Sequence, residues 1–161
     1  MRPALSALFL LVPEAEVLLD AVRGLPGVAL LEPAHITLGY PWVDAPEERL
    51  DDVQVAAAAV ASATVVLRGP ASFDQDVRGR TVVYASLSDE RVPHELAARL
   101  ASPLRTPHLS IARVRRSGDV DEVVAAVAPL LPLTVRLDTV EVTRRDASGW
   151  TTILRTPLGP A

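Results

Sequence analysis

Two short stretches of the chain, HITL at residues 35–38 and HLSI at residues 108–111, repeat one pattern. Each contains a histidine, an apolar residue, a hydroxyl residue and a second apolar residue. Two of the three histidines of the chain lie in this repeat, and the copies begin 73 residues apart in a chain of 161. A single copy would occur often by chance. The duplication predicts two equivalent strands, one in each half of the chain.

Strand alternation separates the polar residues of each copy from the apolar ones. Successive side chains of a strand point to opposite faces, so His35 and Thr37 leave one face and their apolar neighbours leave the other. The same holds for His108 and Ser110. If the two strands lie side by side, two imidazoles flank one cleft. They can then supply a base and an acid to one phosphorus centre near neutral pH.

Length and composition exclude several classes of protein. Because no linker or charge run divides the 161 residues, we expect one domain over residues 1–161. The absence of cysteine excludes disulfides, thiolate catalysis and zinc–cysteine sites, and it fits a cytoplasmic protein. A formal net charge of -4 argues against binding of long nucleic acid. No apolar run approaches the ~18 residues of a membrane span, so no membrane partner is expected.

Hydrophobic periodicity and turn residues predict the element order β-α-β-α-β-β-α-β-α-β-β. The predicted strands cover residues 5–12, 35–40, 64–68, 80–87, 107–114, 134–143 and 150–156. The predicted helices cover residues 13–22, 44–62, 93–101 and 120–131, the second with Asp44 as its N-cap, and residues 25–34 are predicted as a loop. Each half is close to β-α-β-α-β-β with a motif strand at the equivalent place, which indicates an internal duplication.

The two motif windows resemble the two-histidine (2H) phosphoesterase superfamily. They are most similar to its 2′,3′-cyclic phosphodiesterase branch, often labelled 2′-5′ RNA ligase. Residues 105–114, RTPHLSIARV, are similar to the second motif of that branch with its flanks, and residues 35–40, HITLGY, to the first. The similarity in element order extends over nearly the whole chain. At the level of residues it is confined to these two windows.

The resemblance implies an α+β, bilobal, pseudo-symmetric fold, in which two antiparallel sheets form a V-shaped central cleft with helices on the outside. It implies that His35 and His108 are the acid/base pair and that Thr37 and Ser110 donate hydrogen bonds to phosphate oxygens. Neither a metal nor another cofactor is implied. The implied reaction is hydrolysis of a 2′,3′-cyclic phosphate or 2′-5′ phosphodiester, with a 2′-phosphate as the product of a cyclic substrate.

The direction of proton transfer is left open by the pseudo-symmetry. Relatives suggest His108 as the base that activates water and His35 as the acid for the departing 3′-oxygen. Reverse 2′-5′ RNA ligation would exchange the two roles.

Further substrate contacts are expected among Arg105, Arg113 and Tyr40, near the motifs. Strand alternation alone turns Arg113 and Tyr40 toward the core, unless the strands bulge. Arg78 and Arg80 border a loop and are candidates for the mouth of the cleft. Trp42 and Trp150 are candidates, with Tyr40, for stacking a nucleobase. His94 is expected at the surface.

Two rival classes remain beside the phosphodiesterase. A metal hydrolase needs three or four convergent ligands, yet these histidines are spaced two residues from a hydroxyl residue. A non-catalytic module that binds a nucleotide or cyclic oligonucleotide on the same fold is the closer alternative. For the phosphodiesterase and the binding module alike, the expected partner is a small nucleotide, a cyclic phosphate or a short RNA end. We expect the protein to be a monomer.

Overall fold

The computed structural model of the protein describes residues 5–115 and 118–161. Within them the strands are β1 (Leu5–Leu11), β2 (Val28–Leu30), β3 (His35–Gly39), β4 (Ala63–Ser72), β5 (Thr81–Leu87), β6 (His108–Val114), β7 (Leu133–Leu137), β8 (Thr139–Asp146) and β9 (Gly149–Pro157). The helices are α1 (Glu16–Val22), α2 (Leu50–Ala59), α3 (Arg91–Arg99) and α4 (Val120–Val127). Short 3-10 turns cover Pro13–Ala15, Pro46–Arg49 and Ala128–Leu130.

The strands form one open sheet in the order β7-β4-β5-β6-β3-β1-β8-β9, with β2 paired to β6. Every strand pair in it is antiparallel. At the centre, the two motif strands β3 and β6 pair through a single register position, Ile36 with Leu109. The sheet therefore has two halves, β7-β4-β5-β6 and β3-β1-β8-β9, and each half contains one motif strand.

The apolar residues of both motifs lie in one continuous core. Ile36, Leu38, Leu109 and Ile111 are each at most 1% exposed. Helices α1 and α4 pack beside β4, β5 and β6, while α2 and α3 pack beside β3, β8 and β9. Because the helices bury this face of the sheet, the histidine face of the motif strands is left open. No helix in the described part of the chain is both long and apolar enough to cross a membrane.

The predicted α+β fold is confirmed, and its two expected sheets are the two halves of this open sheet. Two strands were missed. Three-residue β2 lies in the predicted loop over residues 25–34, where it pairs with β6. The single strand predicted over residues 134–143 is divided at Asp138, because β7 pairs with β4 in one half-sheet and β8 pairs with β1 in the other.

The helix predicted from Asp44 to residue 62 is also shorter than expected. Residues Pro46–Arg49 form a 3-10 turn, and the α-helix runs only from Leu50 to Ala59. Neither segment has a side-chain N-cap, so the prediction of Asp44 as the cap is wrong. The backbone becomes extended at Val60, where the chain enters β4.

Candidate active site

A cleft of about 740 Å³ lies on the open face of the sheet. Its lining includes all four motif residues with polar side chains, His35, Thr37, His108 and Ser110. The two strands that hold them are neighbours at the centre of the sheet. The structure thus brings together polar groups that are 73 residues apart in the chain.

Each motif histidine donates a hydrogen bond to the main chain just before its strand. His35 Nδ1 lies 2.6 Å from the carbonyl oxygen of Pro33, and His108 Nδ1 lies 2.9 Å from that of Thr106. A carbonyl oxygen can only accept, so Nδ1 of each ring carries the hydrogen. Nε2 is therefore the atom that can gain or release a proton in both rings.

Aromatic rings pack against both histidines. The Phe9 ring lies 4.0 Å from the ring of His35, measured between centroids and tilted by 43°. The rings of Phe73 and Tyr84 stack on one another at 4.2 Å and meet His108 edge-on at 4.9 and 5.4 Å. These contacts, together with the Nδ1 hydrogen bonds, favour the observed orientation of each imidazole.

Burial lowers the pKa of His35 below its usual value of 6.5, because removal from water disfavours the charged ring. The hydrogen bond to the Pro33 carbonyl and the negative charges of Glu141 and Glu16 oppose this shift. The positive charge of His108 acts in the same direction as burial. The neutral form of His35 is favoured, and its charge is coupled to that of the second motif histidine.

A β-bulge interrupts the first motif strand at its fourth residue. Leu8 of β1 pairs with Gly39 and the next residue, Phe9, pairs with Thr37, which leaves Leu38 as the extra residue. The hydroxyl of Ser102 donates to the carbonyl oxygen of Leu38 at 2.7 Å. A Cβ at position 39 would lie 2.6 Å from that hydroxyl oxygen, so the close contact requires glycine.

The second motif strand has a bulge at the equivalent residue. Val83 of β5 pairs with Ala112 and Tyr84 pairs with Ser110, which leaves Ile111 as the extra residue. The burial pattern of β6 agrees, since Ile111 and Ala112 are both fully buried where strict alternation would expose one of them. Both bulges thus lie at the last position of a motif.

The bulges reverse the faces of the residues that follow. Tyr40 and Arg113, each five residues after its motif histidine, line the cleft. The alternation argument that turned both side chains toward the core is wrong for this reason. Tyr40 is 54% exposed.

Of the remaining residues considered from the sequence, some line the cleft and others do not. Trp150 lines the cleft and is 47% exposed. Arg105 is exposed and is not part of the cleft lining formed by the described residues. Trp42 packs against the core, and the guanidinium carbon of Arg49 lies 5.6 Å from the centroid of the Trp42 ring.

The other polar candidates are not part of the cleft lining formed by the described residues. Arg80 forms an ion pair with Asp76 at 2.8 Å, and neighbouring Arg78 is exposed. His94 is at the surface of α3, as expected, with Nε2 3.4 Å from Glu90. Within residues 5–115 and 118–161, no three metal-binding side chains are grouped closely enough to hold a metal ion.

Sequence reasoning missed a polar row from the C-terminal hairpin. Glu141, Thr143 and Arg145 of β8, with Thr152 of β9, line the half of the cleft next to His35. Glu141 is only 2% exposed and pairs with Arg155 at 2.7 Å. The spacing of two between the polar residues at 141, 143 and 145 was the available signal, since it places all three on one face.

Two strands with a histidine and a hydroxyl residue on one face, meeting at the centre of a pseudo-symmetric antiparallel sheet, define the 2H phosphoesterase class. A scan against protein-family models matches residues 11–149 to the 2′-5′ RNA ligase superfamily. The chain belongs to this superfamily. A search of curated proteins found no match.

Solved structures share the fold over almost their full length. Escherichia coli LigT complexed with 3′-AMP has a TM-score of 0.60 at 14% identity, covering 98% of this chain and 99% of that one. Kluyveromyces marxianus Usb1 with uridine monophosphate has a TM-score of 0.59 at 15% identity, covering 97% and 99%. A structure described as a phosphoesterase has a TM-score of 0.63 at 13% identity, covering 98% and 99%. These likenesses establish the fold.

Proposed function

We propose that the protein is a metal-independent phosphodiesterase that hydrolyses a 2′,3′-cyclic phosphate or 2′-5′ phosphodiester of a nucleotide or RNA end. The observation that carries this proposal is the pair of imidazoles, His35 and His108, in one cleft with Nδ1 of each bound to a carbonyl oxygen. Both rings therefore offer Nε2 for proton transfer. The alternative is a module that binds the nucleotide without turning it over.

The chemistry of the reaction matches this pair. Opening of a cyclic phosphate needs a water deprotonated on one side of phosphorus and a leaving oxygen protonated on the other. Imidazole has its usual pKa close to neutrality and serves both tasks. We assign His108 as the base for water and His35 as the acid for the leaving oxygen, the direction that relatives suggest.

Charge that develops on the phosphate oxygens has donors in the same cleft. Thr37 and Ser110 each line the cleft beside their histidine, and their hydroxyls are the proposed hydrogen-bond donors to the transition state. Arg113 adds a guanidinium that is always charged. Phosphate binding is thus assigned to three donors, drawn from both motif strands.

The size of the cleft and the charge of the chain favour a short substrate. LigT is known in complex with 3′-AMP and Usb1 in complex with uridine monophosphate. By likeness of fold, we assign this chain a ligand of the same size. A net charge of -4 supports the same assignment, because long nucleic acid requires a broad basic surface.

Single alanine variants of the two motif histidines test the proposal. We expect His35→Ala and His108→Ala to lower kcat by at least ~100-fold, the lower end of general acid/base contributions. His94→Ala is the matched control, because that histidine lies on the surface of α3. The assay panel contains nucleoside 2′,3′-cyclic phosphates, RNA with a cyclic phosphate end, 2′-5′ dinucleotides and ADP-ribose cyclic phosphate.

Four outcomes are possible, and each bears on the proposal. The proposal predicts turnover that survives chelator and is lost in both motif variants, with unchanged circular dichroism. Loss of activity with chelator would identify a metal hydrolase. Saturable binding without turnover of any panel member would identify the binding module, and near-normal rates in a folded motif variant would refute the assigned roles.

A further inference from the structure

One end of the cleft presents two aromatic side chains to solvent. Tyr40 and Trp150 both line the cleft, at 54% and 47% exposure. Their ring centroids are 6.0 Å apart, and the ring planes make an angle of 52°. Large aromatic rings ordinarily bury most of their surface, so two half-exposed rings in a concave site indicate a binding surface.

The surroundings of Trp150 form a polar recess. Arg145 is its direct cross-strand partner, with the guanidinium carbon 6.0 Å from the ring centroid. Thr143 and Thr152 form a cross-strand pair two positions further along the same two strands. Both of them also line this end. Thr143 is 5% exposed, and its hydroxyl has no hydrogen-bond partner within residues 5–115 and 118–161. Buried hydroxyls are nearly always bonded, and this one is available to hydrogen-bond a ligand in the cleft.

We propose that this recess, formed by Tyr40, Trp150, Arg145 and Thr143, binds the nucleobase of the substrate. The inference rests on the proposed function and adds a substrate class, a phosphodiester whose leaving oxygen belongs to a nucleoside. A planar base stacks on Trp150 beside Tyr40, as bases do on exposed aromatic rings in other proteins. Trp42, the other tryptophan, is excluded because it packs against the core.

The position of the recess fixes the orientation of the substrate. Trp150, Arg145 and Thr143 belong to β8 and β9, in the half-sheet that also contains His35. The nucleoside therefore occupies the His35 side of the phosphate, and attacking water enters from the His108 side. This orientation places the departing ribose oxygen next to the histidine assigned as the acid.

A pair of substrates that differ only in the base tests the recess. We expect Trp150→Ala to lower kcat/KM for adenosine 2′,3′-cyclic phosphate by roughly 5- to 150-fold, the range for loss of one base-stacking contact. For methyl riboside 2′,3′-cyclic phosphate, which has no base, we expect a change of less than about twofold. Trp150→Phe keeps an aromatic ring and should recover most of the loss. Equal losses on both substrates, or none on either, would overturn the proposal.

Tryptophan fluorescence tests the same recess without turnover. The chain has two tryptophans, so Trp42→Phe leaves Trp150 as the only one. We expect saturable quenching of Trp150 by adenosine 2′-monophosphate and none by ribose 5-phosphate. No quenching, or equal quenching by both, would overturn the nucleobase assignment. Quenching in a protein that hydrolyses no panel substrate would refute the proposed function and leave the recess standing.

Discussion

At the scale of single residues, His35 gives the clearest dependence on pH. As the acid, it acts only when protonated, and burial lowers its pKa below 6.5. The protonated fraction of His35 falls as pH rises through that pKa, so its titration sets one limb of the profile of kcat/KM against pH. Glu141 raises the pKa of His35, so Glu141→Gln should move this limb to lower pH. A pH–rate profile of wild type and variant measures both effects.

The same profile tests whether His35 takes part in proton transfer. Two limbs that stay in place in Glu141→Gln would contradict a proton-transfer role for His35. Glu90→Gln, which removes a carboxylate next to His94 on α3, is the control and should leave the limb unchanged.

Thr143 is a second residue whose effect follows from its environment alone. Its buried hydroxyl has no partner within the described residues, and an unmet hydroxyl of this kind typically costs about 1–3 kcal/mol. Valine has nearly the same shape, so Thr143→Val should raise the free energy of unfolding of the ligand-free protein by about 1 kcal/mol. Urea denaturation measures the change. Destabilisation by a similar amount would show that the hydroxyl has a hydrogen-bond partner in solution.

At the scale of elements, the bulge in β6 decides which arginine faces the cleft. Arg113 lines the cleft after the bulge at Ile111, whereas Arg105 precedes β6 and is exposed. Loss of a hydrogen bond to a charged group typically costs about 1.5–3 kcal/mol, so Arg113→Ala should lower kcat/KM roughly 10- to 150-fold. Arg105→Ala, the matched control, should change kcat/KM less than about twofold. Equal effects in steady-state kinetics would contradict the assignment.

The bulges also mark how far the sequence predicts the site. Alternation correctly separates His35 from Ile36 and His108 from Leu109, because each pair precedes its bulge. It fails for Tyr40 and Arg113, which follow a bulge. Gly39 was a usable signal, since glycine inside a strand often marks one. The residue type at Ile111 gave no signal of the second bulge, because Ile111 is left unpaired only by the register of β6 with β5.

Pairing between distant strands explains the other differences. The sequence between residues 134 and 143 has β-forming residues throughout, so only tertiary structure divides it at Asp138. The same division carries β8 and β9 to the His35 side and brings Glu141 and Trp150 into the cleft. The local pattern of the hairpin was predictable. Its neighbours were not, because they depend on strand order in the whole sheet.

At the scale of the whole molecule, the two half-sheets share one core. Leu109 belongs to the single residue pair that joins β3 to β6, and it is fully buried in an apolar cluster that extends under both halves. Leu109→Ala should therefore destabilise the protein by about 2–5 kcal/mol, the usual range for a buried leucine. Far-ultraviolet circular dichroism and tryptophan fluorescence should follow one coincident transition in urea.

One outcome would contradict this prediction. Separate transitions for the two probes would show that the halves unfold independently, against the expected single domain over residues 1–161. Val55→Ala on the outer face of α2 is the control, because that side chain is 71% exposed. It should change the free energy of unfolding by less than about 0.5 kcal/mol.

The single paired position between β3 and β6 makes the motif histidines less sensitive than the outer strands to a change in the angle between the half-sheets. Both motif histidines are adjacent to the joining pair, while β9 lies three strands from β3, about 14 Å at ~4.8 Å per strand. A 10° rotation of one half about this pivot would carry Trp150 by about 2.5 Å, yet an imidazole one strand spacing away by less than about 1 Å. Under the proposed function, such a rotation would change the walls that contact the nucleoside, while the spacing of the two imidazoles would stay nearly constant.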